Sequence, residues 1–476
     1  MLNSCNSFLN VDTLGKSTIG GFFSDPDGLR SAGVGLHYLL LDFADDEYMI
    51  YGELAGDLMN VNRVNAGLAV TKIFDFDNLI EDSTGYPGTI WKSAYELCTN
   101  ANNILHYGKA LLEKYPDYKD EINKHFGYAY FTRAYAHFCL CNIFAQSYSY
   151  TPDASHLGVV IIDYIPGFNS VLKRSTVAQC YDKIILDLNE AIKCFAGTDC
   201  ADPNYISGMA CEALLARVYL YKKDYAKAAE YASKVMTERP LTSRDKYIDM
   251  FRKAQDVCGS ESILRMNSYN STSTLGNKCN PTKSTSELVP CDEFCNLMSS
   301  RDIRKELYTY YSEIADGPEY QGLVAKACCK YIPFKDGVQD EMNRRCDPFI
   351  LRSSEMYLIH AEAICNIPGA DLNSAADDIR TLRARALGCK KEEISLNWKN
   401  AEELDKIVQE ERSIELFLEG HRFYDLKRRG ESIIRPKSST SMLKRLDYPH
   451  YKFALPINQI EMEANTHMVQ NEGYIN

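Results

Sequence analysis

Apolar and polar positions alternate most regularly between 404 and 430. In LDKIVQEERSIELFLEGHRFYDLKRRG, Ile407, Ile414, Phe417, Leu418 and His421 recur at helical spacing and share one face. The other face is charged. Glu419–Arg422, Arg422–Asp425 and Asp425–Arg429 can pair across a turn, at roughly 0.2–0.5 kcal/mol each on an exposed helix. Glu411, Glu415 and Glu419 instead stack like charges four apart, which destabilises a lone helix. They are expected to lie buried or half-buried against arginines from neighbouring helices, with Arg352, Arg380, Arg383 and Arg385 as candidates. The spacing predicts one continuous helix over 401–428, ended by Gly430 and serving as scaffold.

The same period, less regular, predicts helices over 91–115, 118–146, 176–196, 207–222, 224–237, 349–365 and 374–387. A first helix can start at Asp25-Pro26-Asp27-Gly28. Ala210, Ala213, Ala216, Ala226, Ala228, Ala229 and Ala232 let adjacent helices approach closely, as in tetratricopeptide-type pairs. Two stretches break the pattern. Residues 57–89, rich in Asp, Asn, Gly and Phe, read as a long loop. Residues 241–347 are polar and turn-rich, with loops and short strands expected, and the tail from Phe453 reads as extended.

The expected fold class is mainly α: tetratricopeptide-like helix pairs forming a superhelical scaffold, with an irregular loop-rich lobe carrying short strands. One unit spans 1–476. It comprises an N-terminal segment and first helix (1–56), a loop plus helix pairs (57–240), a loop-rich ligand lobe (241–347), and C-terminal helices with an extended tail (348–476).

Charge and composition narrow the function. A net charge of −12 over 476 residues supplies no basic footprint for nucleic acid. No apolar run reaches the roughly 18 residues of a membrane span. The 17 cysteines are scattered and read as buried thiols; Cys139-x-Cys141 and Cys291-x3-Cys295 lack the second cluster of a zinc site. Gly15-Lys16-Ser17 hints at a phosphate loop, but Asn10 stands where the first glycine belongs. Asp45-Asp46-Glu47 and Asp377-Asp378 could serve a helical glycoside hydrolase, although acidic pairs on helices are commonly solvated faces. His421 reads as a core histidine. Asp25/Asp27 and Asp75/Asp77 could help hold a structural calcium ion, without the loop of a dedicated site; no other cofactor is expected. Leu2-Asn3-Ser4-Cys5 has the form of the end of a lipoprotein processing signal.

Several stretches together resemble the SusD/RagB family of surface nutrient-binding lipoproteins of Bacteroidetes. Glu411-Arg412, Glu415-Leu416, Glu419-Gly420, Arg422, Asp425-Leu426 and Arg428 fall at that family's spacing. So do Leu351–Glu355 through Ala361–Ala363, and Leu382–Ala386. Phe453–Ile457, Gln470–Tyr474, Trp91–Asn103, Phe131–Tyr135 and Val177–Ala191 are also similar, and Cys5-Asn6-Ser7-Phe8-Leu9 resembles a mature start.

The resemblance implies four tetratricopeptide-like helix pairs and a lipid anchor at Cys5 on the outer membrane, facing the extracellular side. It implies delivery of oligosaccharides to a SusC-like TonB-dependent transporter, without catalysis. A tetratricopeptide-type scaffold binding peptides is the alternative. With only Trp91 and Trp398, and Trp91 read as structural, stacking faces are expected from the 32 tyrosines. Ligand contacts are expected on loops: Asp57, Asn62, Arg63, Phe76 and Tyr86 in the first, and Tyr269, Asn270, Tyr310 and Tyr311 in the second.

Overall fold

The periodic stretches fold as helices in a computed structural model. It describes residues 18–77, 86–167, 170–197, 202–252, 259–266, 274–279, 287–311, 324–326, 328–331, 334–335, 338–339 and 347–474. Tyr86–Lys114 packs on Lys119–Phe144, which packs on Val177–Phe195. Gly208–Lys222 follows, then Tyr225–Glu238, Ser353–Asn366, and the pair Leu372–Leu387 and Ala401–Glu415. The expected mainly helical architecture of stacked helix pairs is present. Local chemistry sets the ends. Thr176 and Gln179 form a capping box, Ser207 caps Gly208–Lys222, and Asp25 caps Pro26–Asp42.

Three boundaries differ from expectation. The 401–428 stretch is two helices, Ala401–Glu415 and Arg422–Arg429, joined by a turn in which Leu418 and Gly420 take φ of 66° and 76°. The apolar stripe runs on through Phe417 and Leu418, so it masks the break. Residues 349–352 form a strand, antiparallel to Ser262–Arg265, and the helix starts only at Ser353. A short buried apolar run such as Phe349-Ile350-Leu351 fits either state. The 57–89 stretch holds a strand, Met59–Val61, a helix, Leu68–Asp75, and the start of Tyr86–Lys114.

The glutamate ladder lies inside a buried ionic array. Glu415 accepts from Arg352 (2.7 Å), Arg385 (2.6 Å), Arg304 (3.0 Å) and the Tyr247 hydroxyl (3.0 Å). Glu419 accepts from Arg352 at 2.7 and 2.8 Å and from Lys330 at 2.5 Å. Glu411 accepts from Arg304 (2.6 Å) and Arg383 (2.7 Å). Burial pushes the Glu415 and Glu419 carboxyls up, but the surrounding cations outweigh it and hold both below the ordinary range. Arg352, Arg383 and Arg385 thus play the expected part, while Arg380 does not join the array. Arg304 and Lys330 come from the aperiodic lobe.

Candidate functional site

Strand pairing brings the two predicted ligand loops together. Met59–Val61 runs antiparallel to Leu288–Pro290, with Asn60 opposite Val289. The junction is extended by the Asn62 amide donating to the Glu287 carbonyl at 2.9 Å. A third segment is stitched on by Asn60, whose Nδ2 donates to the Ser438 carbonyl (2.9 Å) and whose Oδ1 accepts from the Thr440 amide (2.8 Å). Val64 (93% exposed), Leu68 and Met442 (80% exposed) stand on the rim.

Several expected contact residues are engaged by the scaffold. Phe76 is 2% exposed, with its ring beside that of Phe423. Asp57 accepts both arms of the Arg422 guanidinium, at 2.6 and 2.9 Å. Arg63 donates to both oxygens of Asp75 (2.6 and 2.9 Å) and to the Thr440 carbonyl (2.7 Å). The Phe76 ring lacks an accessible face, while Asp57 and Arg63 are held in ion pairs that brace the lobe, with Arg63 still exposed. Asn62 is half-buried, and its Oδ1 accepts from the Val64 amide at 3.2 Å, an Asx-type turn.

Tyr86 opens the Tyr86–Lys114 helix, and Tyr310 and Tyr311 lie on the Thr309–Tyr311 strand, antiparallel to Val324–Lys326. Cys5, Tyr269, Asn270 and Gly15-Lys16-Ser17 lie outside the described residues.

Several groups named for the alternative chemistries are separately engaged, and the side chains of Asp45, Asp46 and Glu47 lie outside the described residues. Asp377 accepts from Lys391 (2.6 Å) and Asp378 pairs with His360 (2.5 Å). Asp25 caps a helix, Asp27 pairs with Arg30, and Asp75 also accepts from the Met442 amide. Among the described residues, no group of three or more His, Cys, Asp or Glu could hold a metal ion. His421 is buried at the start of Arg422–Arg429, and burial beside Arg217 and Arg412 keeps it neutral. Trp91 is buried against Tyr95 and Phe144, a structural role.

Two surface clefts were not expected from sequence. One, of about 420 Å³, lies beside Trp91, Lys92 and Glu96 and is overhung by Ile460 and Glu461. The other, of about 470 Å³, lies between Gln146–Leu157 and the C-terminal segments around His450–Tyr451 and Asn471–Gly473. Both borrow walls from the tail, which carries no period to flag them.

Comparison with known proteins agrees with this architecture. The SusD family model matches residues 308–474, and a second, described as "Starch-binding associating with outer membrane", matches 41–220. SusD-like protein P2 of Formosa agariphila is 23% identical over 459 residues, covering 88% of this chain and 87% of that protein. A SusD superfamily crystal structure from Bacteroides vulgatus superposes with a TM-score of 0.80 at 25% identity, covering 95% of this chain and 100% of the other. A laminarin-binding SusD-like protein superposes with a TM-score of 0.71 at 22% identity, over 94% of this chain and 100% of the other. With matches to both the helical scaffold and the C-terminal part of the chain, the protein belongs to the SusD/RagB family.

Proposed function

We propose that this protein captures oligosaccharides at the cell surface and passes them to a SusC-like TonB-dependent transporter in the outer membrane, without catalysis. The observation that carries the reading is the paired family match, one half of it to a group described as starch-binding and associating with the outer membrane. The relative described as laminarin-binding agrees with it. In this reading a lipid on Cys5 anchors the chain facing outward, and no cofactor is needed.

The ligand face is the lobe around the joined loops, with Tyr86, Tyr269, Tyr310 and Tyr311 as stacking rings and Asn62 and Asn270 as polar contacts. Tyrosine suits a saccharide because one ring offers a flat apolar face and a hydroxyl at little entropic cost. The buried ionic array beneath gives the lobe a rigid base.

Isothermal titration against maltohexaose, laminarihexaose and a peptide panel tests the reading. Saturable binding to a hexasaccharide, its tighter phase lost in a Tyr310→Ala/Tyr311→Ala variant and without release of new reducing ends, is expected. Binding to peptides alone would overturn it, as would steady reducing-end release. For the anchor, a Cys5→Ser variant should leave the outer-membrane fraction.

A further inference from the structure

We propose that the cleft between Gln146–Leu157 and the C-terminal segments is a second binding site, for a short uncharged saccharide, separate from the loop lobe. It rests on the reading of the protein as a carbohydrate binder. At about 470 Å³ the cleft falls in the size range of small-molecule sites, and no described residue of 57–89 or 241–347 lines it.

Its walls select for a neutral ligand. Among the described lining residues Glu472 is the only carboxylate, and none is a lysine or arginine. Burial lowers the pKa of both His156 and His450, which favours the neutral form of each ring. A phosphate, sulfate or uronate would meet no cation here and would face the Glu472 carboxylate.

The aromatic surface is built and held. His450 stacks on Tyr451, with ring centroids 4.5 Å apart and planes at 28°. Tyr474 braces Tyr451 edge-on at 4.9 Å and donates its hydroxyl to the Ala454 carbonyl at 3.0 Å. Gly473 takes φ of 86°, and a Cβ there would fall 2.4 Å from the Tyr451 ring, so only glycine lets the turn close on it. Across the cleft, Tyr150 is 41% exposed and meets His156 edge-on at 5.3 Å. Rings fixed before binding lose little entropy when a ligand arrives.

Polar capacity is available beside these rings. His450 Nδ1 accepts the Lys452 amide at 3.2 Å, so the neutral ring keeps its proton on Nε2 as a donor. Gln146 Nε2 donates to the His450 carbonyl at 3.1 Å and ties the two walls of the cleft together, while its Oε1 is buried. A ring N–H donor beside aromatic faces suits a sugar, whose hydroxyl oxygens accept and whose C–H faces stack. A second site on one chain would hold a long glycan at two points and slow its escape.

The test uses the full chain with maltohexaose and laminarihexaose as probes, in titrations of wild type, Tyr150→Ala, His450→Ala and the Tyr310→Ala/Tyr311→Ala lobe variant. The lobe variant is expected to keep a weaker saturable phase. Adding Tyr150→Ala or His450→Ala should weaken that phase roughly fivefold or more, in protein that remains folded at the titration temperature. Hydroxyl-radical footprinting should show either hexasaccharide protecting Tyr150 and Tyr451. If wild type binds a hexasaccharide but neither cleft variant changes any phase and neither tyrosine is protected, the second site is refuted and the main reading stands. If wild type binds neither hexasaccharide, the main reading falls and this inference with it.

Discussion

Glu53 and Gly420, 367 residues apart, are joined by a single hydrogen bond, the Gly420 amide donating to Glu53 Oε1 at 2.9 Å. Glu53 is buried and its other oxygen has no partner. Burial pushes its pKa up to about 7, only partly opposed by the amides of the 418–421 turn and by Lys330.

The sign of the resulting pH dependence follows from that shift. Below roughly pH 4.3, the ordinary glutamate value, folded and unfolded chains both hold the proton. Above it the unfolded chain releases the proton first, so stability falls as pH rises and levels off above about 7. The full effect is about 3 kcal/mol. Glu53→Gln keeps the acceptor for Gly420 and removes the titration. His125 and His137, each lowered by burial to about 4, produce the opposite slope over an overlapping range. The readout is therefore the difference in melting temperature between variant and wild type from pH 5 to 8. It should widen in favour of the variant, and parallel curves would contradict the assignment.

The same turn makes Gly420 sensitive. With φ of 76°, and a Cβ that would lie 2.6 Å from the Met49 Cα, Gly420→Ala combines backbone strain with a main-chain clash. Strain alone costs about 1–3 kcal/mol, and the denaturation midpoint should fall accordingly. Gly35 is the control: it lies within Pro26–Asp42 and a Cβ there meets nothing within 4 Å. Gly35→Ala should raise the midpoint, by up to about 1 kcal/mol. An unchanged Gly420→Ala midpoint would remove the turn from the stability argument.

The Glu411, Glu415 and Glu419 ladder was legible because like charges four apart on a helix demand nearby cations. Arg383 and Arg385 could be named because they lie on Leu372–Leu387, and Arg352 because it directly precedes Ser353–Asn366; both helices pack on Ala401–Glu415. Arg304 and Lys330 could not, since they reach the same carboxylates from a lobe without a period. The lobe was less legible for a related reason. Asp57 resembles a free ligand contact until its partner, Arg422, is known, and that partner lies 365 residues away. Local sequence separates polar from apolar, not free from engaged.

Arg352 is the point of greatest leverage in the array, since it bridges Glu261, Glu415 and Glu419. Arg352→Met removes the cation and leaves those carboxylates under-compensated in a buried site. Breaking such a pair from one side costs about 3–5 kcal/mol, and urea denaturation should show a loss of that order. Lys406→Met, which breaks the exposed pair with Glu402, should leave the midpoint where it is. Equal effects of the two variants would mean that the array carries no special weight.

Phe76 separates a scaffold role from a binding role. Its ring is buried beside Phe423, its backbone sits at φ of 52°, and its carbonyl accepts from Lys452 Nζ at 2.7 Å. Removing the ring leaves a cavity in the core, so Phe76→Ala should cost about 3–5 kcal/mol. Phe76→Leu, which refills much of that volume, should cost less. Neither should alter saccharide affinity in titrations run well below the melting temperature, because no face of the ring is open to a ligand. A stacking platform behaves the other way: truncation weakens binding while the fold, which never relied on the ring, melts as before. Lost affinity at an unchanged melting temperature would therefore return Phe76 to the ligand face. Lost stability at unchanged affinity would fix it as the core residue that holds the end of Leu68–Asp75 against Arg422–Arg429.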